Sequence, residues 1–560
     1  MGRSRQRTRS HRSRGAEAVG KTVSSTRRRR IQDFLVCLSL ANLCFLNAWE
    51  EIQHASFSYY RKSAPAAILL PTIADICLLA LAFWGAMALV RLSKKVPALR
   101  FAQCAFLLVL ACPLASYASL VRSARRGLVA AVASIGLGLV VATLFLGVAL
   151  ILVYRNTAIL RAARLGVLTV APLFPLVVFE VARAGGSGST FADKPSAPFF
   201  PDPTSPGPRV VLFIFDEMDQ RLAFPARPAG IHLPELDALR SRALYATRAY
   251  PPEGETLAAV PALLTGRRIS QAVIAGPGEL LVTVRDTGET VPLSALPNMF
   301  SEARSARRNT ALAGWFHPYC RIFGAQLSDC SWYPCSYTPG VVLKEESPGR
   351  FDFFQAMRAQ LERELRIVPL WGERRLARIV RTEHTLASQE ILRQALRLSS
   401  DPRIGLLVVH WPIPHPLGIY DRRTGELTLD SRNNYLDNLE LVDRVLGETR
   451  RAMEAAGCWE NSTILVTSDH PLRPSAWNQE FSWSREEAAA TGNQEYPWVP
   501  FLVKLAGQTR PVTYDAPFNT VLIHDLIVGF MRGQLSTAED VLRWLDRNRS
   551  RAPLQLAPPE

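Results

Sequence analysis

Charge is scarce in this chain: 20% of its 560 residues are Asp, Glu, Lys or Arg, against 48% apolar residues. That balance excludes a globally disordered protein, which combines few apolar groups with much charge. Cysteine is scarce as well, nine residues in all, and no CxxC or HxxxH spacing accompanies them. A structural zinc site of the usual kind is therefore not expected. No small-residue cleavage site follows the first apolar run, so the N-terminus does not read as a removable secretion signal. Residues 1–30 are short of acids, with ten Arg and Lys21 facing the single acid Glu17. This tail holds ten of the net +16 charges, and the rest of the chain is nearly balanced. The high pI thus carries no expectation of nucleic-acid binding. The tail reads as an orienting segment that touches anionic lipid on the cytoplasmic face.

The apolar residues are concentrated in five runs, Ile31–Trp49, Ala66–Val90, Phe101–Val121, Gly127–Tyr154 and Leu165–Val181. Each is near the roughly 20 residues that cross a bilayer core. Asp33 and Asp75 fall in or near these runs and read first as edge residues or packed polar contacts. The basic tail, the loop Arg91, Lys94, Lys95 and Arg100, and the loop Arg155, Arg161 and Arg164 mark the cytoplasmic side. The loop Arg122, Arg125 and Arg126 runs against that assignment and is outweighed by the tail. Five spans place everything after about residue 184 on the far side, periplasmic or extracellular. Residues 184–208 form a Gly/Ser-rich and then Pro-rich linker. The expected organisation is a tail (1–30), a helical membrane domain (31–183), the linker, an α/β domain (209–535) and a C-terminal helix and tail (536–560).

Four cysteines, Cys320, Cys330, Cys335 and Cys458, lie in the soluble part, which allows up to two disulfides in an oxidising compartment. Short β-branched runs there alternate with helical patterns. Strands are predicted over Val210–Phe215, Ala311–Trp315, Ile404–His410, Thr463–Thr467 and Val499–Leu505. Helices are predicted over Thr256–Leu264, Tyr435–Ala456 and Asn519–Met531. Such alternation predicts a largely parallel sheet covered on both faces. Ligands of these sheets bind beyond the carboxyl ends of the strands.

Three motifs fall at such ends. The first strand closes on Asp216-Glu217, adjacent carboxylates that are costly to bury unless a cation or hydrogen bonds satisfy them. The fourth predicted strand closes on Ser468-Asp469-His470, a carboxylate and an imidazole at the same edge. Between them lies Tyr250-Pro-Pro-Glu-Gly-Glu-Thr256, where Gly254 suggests a tight turn and Thr256 opens an apolar helix. The N–H groups of a helix start suit an anionic phosphate or sulfate. The plain alternatives are helix-capping roles for Asp216 and Thr256 and turn chemistry for Ser468-Asp469-His470.

Taken together, Asp216-Glu217, Thr256 with Leu264-Thr265-Gly266, and Ser468-Asp469-His470 resemble the alkaline phosphatase/sulfatase superfamily. Spans followed by such a domain resemble the membrane-bound phosphoethanolamine and phosphoglycerol transferases, including lipoteichoic acid synthase. The resemblance implies that Asp216, Glu217, Asp469 and His470 hold one divalent ion, Zn or Mn. It also implies that Thr256 is both a metal ligand and the nucleophile. Sulfatases carry a Cys or Ser, converted to formylglycine, in a Cys/Ser-x-Pro-x-Arg context. Here Thr256 stands at that position, Ala258 replaces the Pro and Val260 the Arg, so a formylglycine sulfatase is not expected.

His415 and His410, just beyond the strand Ile404–His410 or at its end, are the first candidates for substrate groups, followed by His317 and then Arg473. Each also has a plain structural reading as a backbone-bonded or surface side chain. The expected activity is phosphotransfer or phosphoester hydrolysis on a lipid or envelope glycan, at the outer side of the cell membrane. The alternatives are a sulfatase-like hydrolase without transfer, and a catalytically degenerate domain that binds envelope glycan.

Overall fold

The computed structural model describes residues 27–45, 48–49, 59–60, 62, 66–92, 165–169, 171, 174–176, 178–179, 182, 192–194, 196–201, 208–334, 353–364, 369–430, 432–480 and 483–552. The chain divides into two compact units. One holds residues 1–53, 65–186 and 349–369; the other holds 54–64, 187–348 and 370–560.

In the first unit, helix Ala66–Leu92 contains the stretch Leu69–Ala88, long and apolar enough to cross a membrane. No other helix among the described residues meets that measure. Residues 27–44 are helical, but the run starts with four arginines, which shorten its apolar length. The runs Phe101–Val121 and Gly127–Tyr154 lie outside the described residues, as does much of Leu165–Val181. A helix from later in the chain, Phe353–Glu364, shares this unit. Thr72 Oγ1 donates to its Gln360 Oε1 at 2.8 Å, a buried bond between two polar side chains.

The second unit is built on an eight-stranded sheet. In chain order its strands are β1 (Arg209–Asp216), β2 (Leu244–Ala246), β3 (Asn309–Phe316), β4 (Asp329–Pro334), β5 (Ile404–Pro414), β6 (Ser462–Ser468), β7 (Phe501–Lys504) and β8 (Val512–Tyr514). Their spatial order is β8-β2-β7-β6-β1-β5-β3-β4. All neighbours pair in parallel except those of β7, which runs antiparallel to both β6 and β2. The sheet is thus the largely parallel α/β arrangement, with the predicted strand near 499–505 as its one reversed member.

The central strands explain their own sequences. Every residue of β1 after Arg209 is buried, because helices cover both faces. Val210, Leu212 and Ile214 face one core, and Val211, Phe213 and Phe215 face the other. The first core is filled by α1 (Thr256–Thr265) and α4 (Ile523–Met531). The second is filled by α2 (Pro369–Ser399) and α3 (Tyr435–Ala455). Helix α1 stops at Gly266, whose φ of 66° closes the helix as non-glycine residues rarely can. Helix α3 begins with a capping box in which Asn434 and Asp437 satisfy each other's backbone N–H groups. The predicted helix at 519–531 starts as a single 3-10 turn, Thr520–Leu522, before α4.

Cys320 and Cys330 form a disulfide that ties the short helix Tyr319–Phe323 to β4. Cys458 is a buried free thiol, and Cys335 lies outside the described residues. Closing so short a loop typically contributes about 2–3 kcal/mol. The double replacement Cys320→Ala/Cys330→Ala should lower the thermal midpoint of the full chain by several degrees, and reducing agent should then have no further effect. An unchanged midpoint would contradict this.

Candidate active site

The registers of β1 with β5 and β6 set the carboxyl ends of these three strands side by side. Ser468, the last residue of β6, ties them together: its Oγ lies 2.6 Å from the Phe215 carbonyl and accepts from the Met218 N–H at 2.9 Å. Helix α3 holds the adjoining loops from its first turns. The Tyr435 hydroxyl donates to the Glu217 carbonyl at 2.8 Å and accepts from the Asp219 N–H at 2.9 Å. Asn438 donates to the carbonyls of His415 and Leu417 at 3.0 and 3.1 Å. The opening of α3 therefore fixes two of the loops that carry chemistry.

Asp216, Asp469 and His470 converge within this frame. One ligand atom from each lies within 4.8 Å of the others, and all three residues are buried. His470 Nδ1 donates to the Pro471 carbonyl at 3.1 Å, so in the neutral ring Nε2 carries the lone pair. Nε2 is 3.5 Å from Asp216 Oδ1 and 3.6 Å from Asp469 Oδ2. The other Asp469 oxygen accepts from the N–H groups of His470 and Glu217 at 2.8 and 3.3 Å. Asp216 Oδ1 and Asp469 Oδ2 accept no hydrogen bond. Burial, followed by the charges of Asp469 and Glu217, pushes the Asp216 carboxyl well above its usual range. Burial also raises Asp469, but His470 and His410 bring it below its ordinary value. Two bare buried carboxylate oxygens beside an imidazole lone pair are the donor set that a divalent cation satisfies, so these residues fit the divalent ion that the resemblance implies.

Thr256 completes the group. It is the first residue of α1, whose cap is the extended Glu255, so it is not the helix cap. Its hydroxyl instead lies 3.1 Å from His470 Nε2, across 214 residues of sequence. Gly254 has no positive φ and open space at its Cβ position, so the turn before α1 does not depend on it.

Glu217 stands on the other side of the imidazole. Its Oε1 is 3.9 Å from His470 Nδ1, the nitrogen facing away from Asp216 and Asp469. Arg473 Nε donates to Oε1 at 2.8 Å, with Nη2 2.7 Å from the same oxygen, and Trp477 Nε1 donates to Oε2 at 2.6 Å. Glu217 also has a φ of 58°, the left-handed region that side-chain-bearing residues avoid. Burial lowers the Arg473 guanidinium, and the charges of Glu217, Asp216 and Glu255 more than restore it. Arg473 is thus a charged, one-third exposed side chain held beside the site.

The candidate histidines are all buried, and burial pushes His317 down to about 3, His410 to about 4 and His415 to about 3. They are neutral groups. His410 shares a 2.7 Å hydrogen bond with the Tyr319 hydroxyl. Gly314 permits that contact, since a Cβ there would lie 2.7 Å from the Tyr319 ring. His415 Nδ1 is bonded to the Pro416 carbonyl, and its ring lies edge-on to Trp477 with centroids 4.7 Å apart. His317 is bonded at both nitrogens, to the Tyr59 hydroxyl at 2.6 Å and the Thr256 carbonyl at 3.2 Å. Sequence reasoning missed Tyr59, Trp477 and His384. His384 lies within α2, 5.0 Å from the His415 ring between centroids, and both its nitrogens are buried without a partner. Its only sequence signal is a histidine within a long helical run.

A largely parallel sheet thus presents acids, an imidazole and a helix-borne hydroxyl at one strand edge, the layout of an α/β enzyme. A family model described as Sulfatase matches residues 208–531, more than half of the chain, and the chain belongs to that family, within the alkaline phosphatase/sulfatase superfamily. No curated protein matches it in sequence. Similar solved structures include Ps i-CgsB, at 13% identity and a TM-score of 0.41, covering 62% of this chain and 77% of that one. The phosphonate monoester hydrolase of Agrobacterium radiobacter is similar at 14% identity and a TM-score of 0.35, with coverages of 58% and 77%. The lipoteichoic acid synthase LtaP from Listeria monocytogenes is similar at 12% identity and a TM-score of 0.35, with coverages of 58% and 72%.

Glu217→Ala removes one partner of a buried pair, the carboxylate that accepts from Arg473 Nε and Trp477 Nε1. Because Arg473 is 30% exposed, the expected cost is about 2–3 kcal/mol, less than for a fully buried pair. Denaturant unfolding checks this, and a loss below about 0.5 kcal/mol, the scatter of ordinary surface substitutions, would contradict it.

Proposed function

We propose that the protein is a membrane-anchored, divalent-metal-dependent phosphotransferase or phosphohydrolase, acting outside the cytoplasm on lipid- or glycan-linked phosphate esters. The observation that carries the reading is the Thr256 hydroxyl, 3.1 Å from His470 Nε2 beside two carboxylate oxygens without partners. Asp216, Asp469 and His470 would hold the ion together with Thr256, with Zn or Mn the expected metal. A bound divalent ion would favour the alkoxide of Thr256 and neutralise charge on the phosphoryl oxygens. Thr256 Oγ1 attacks phosphorus, the ester P–O bond breaks and the leaving oxygen departs. The group rests on Thr256 until water or an acceptor hydroxyl takes it. The N-terminal end of α1 favours the anionic group, and Arg473, held by Glu217, adds a positive charge. His415 and His410, neutral and buried, would contact the uncharged part of the substrate. Glu217 acts in this reading by holding Arg473 rather than as a ligand.

The outward placement is supported by the Cys320–Cys330 disulfide, which suits an oxidising compartment. Anchoring is supported by helix Ala66–Leu92 and the basic tail. Tethering to the bilayer would raise the effective concentration of a lipid substrate.

Thr256→Ala should lower hydrolysis of an aryl phosphodiester at least about a thousandfold while the protein still binds one ion per chain. Unchanged turnover would remove the proposed nucleophile. Asp469→Ala should lose the ion in elemental analysis, whereas Glu217→Ala should keep it; the reverse pattern would overturn the ligand assignment. Panels of phosphate and sulfate esters, with and without an acceptor alcohol, separate phosphotransfer from simple hydrolysis.

A further inference from the structure

Tyr59 lies far upstream of residues 208–531, the part that matches the family, yet it is fully buried in the core of the second unit. Its neighbours anchor it there: Tyr60 packs edge-on against Phe316 at 5.1 Å, and Lys62 Nζ sits 5.6 Å from the Trp332 ring centre. Tyr59, Tyr60 and Lys62 are therefore built into the folded domain. The Tyr59 hydroxyl reaches His317 Nδ1 at 2.6 Å, across 258 residues of sequence.

The chemistry of the partners sets the direction of each bond. The Thr256 carbonyl can only accept, so His317 Nε2 carries the proton in its 3.2 Å contact. In the neutral ring Nδ1 is then a lone pair, and the Tyr59 O–H donates to it across 2.6 Å. The chain Tyr59 O–H to His317 Nδ1, then Nε2–H to the Thr256 carbonyl, has a single allowed polarity. It ends on the backbone of the residue whose hydroxyl meets His470. With both nitrogens engaged, His317 has no polar atom left for a substrate.

We propose that Tyr59 is a positioning residue of this active site: acting through His317, it fixes the main chain of Thr256, so a residue far upstream of the family-matching part helps to complete the enzyme. The catalytic part of the proposal rests on Thr256 being the nucleophile; the hydrogen-bonded link does not. Replacing Tyr59 with Phe keeps the ring and removes one buried donor, leaving His317 Nδ1 unsatisfied and free to exchange tautomers.

The test uses the full-length, metal-loaded chain and a double-mutant cycle on aryl phosphodiester hydrolysis. Tyr59→Phe should lower kcat about tenfold with KM and bound metal within about twofold of the parent. In a His317→Ala background the same change should have less than about a twofold effect, because the path to Thr256 is already cut. Equal losses in both backgrounds, or no loss in the parent, would overturn the positioning role. Spectra of the 15N-histidine-labelled chain test the link without turnover, with His317 assigned by its loss in His317→Ala. The Nδ1 resonance should be that of an unprotonated, hydrogen-bonded nitrogen and should move in Tyr59→Phe; an unmoved resonance would refute the link. If the parent fails to turn over but the resonance moves, the phosphoester reading fails while the contact between Tyr59 and His317 stands.

Discussion

The structure turns on negative charge gathered where β1 and β6 end. Asp216 and Asp469 are buried together with bare oxygens, and the imidazole of His470 turns its lone pair toward them. Hydrogen bonds within the protein satisfy the other Asp469 oxygen but leave these two open. In a low-dielectric interior such a pair is a standing cost unless a positive charge meets it. The remainder of the site can be understood as holding that arrangement: Ser468 locks the strand ends, Tyr435 and Asn438 brace the loops, and the Glu217–Arg473–Trp477 cluster stands behind His470.

The site is also divided by charge. Asp216, Asp469, Glu217 and Arg473 surround His470, whereas His410 and His415 are held neutral by burial among aromatic rings. A phosphoester substrate has the same division, an anionic centre joined to a less polar group. This match is what favours a bulky organic phosphate over a small inorganic anion in our reading.

Much of this was legible in the sequence where the signal is local. Strands β1, β3, β5 and β6 were expected to within a few residues, because buried parallel strands are near-continuous apolar runs. The same runs marked their carboxyl ends, and Asp216, Asp469 and His470 followed from them. Thr256 stood out as the polar start of an apolar helix. What was not legible depends on distant contacts or on single torsions. The left-handed turn at Glu217, which accompanies its pairing with Arg473, has no sequence signature, since glycine would be the residue to expect there. His317 looked like a pocket residue because it ends a strand, and only the fold shows Tyr59 and the Thr256 carbonyl occupying both its nitrogens. Helix α2, with His384, passed unnoticed for lack of a motif.

The most direct test of the central claim, that Thr256 takes up the transferred group in this site, is intact-mass analysis with peptide mapping. The metal-loaded full chain would be incubated with membrane lipid and quenched in acid. The account predicts a phosphoester adduct on Thr256, whose mass identifies the donor headgroup. An adduct on a different residue, with Thr256 unmodified, would contradict it.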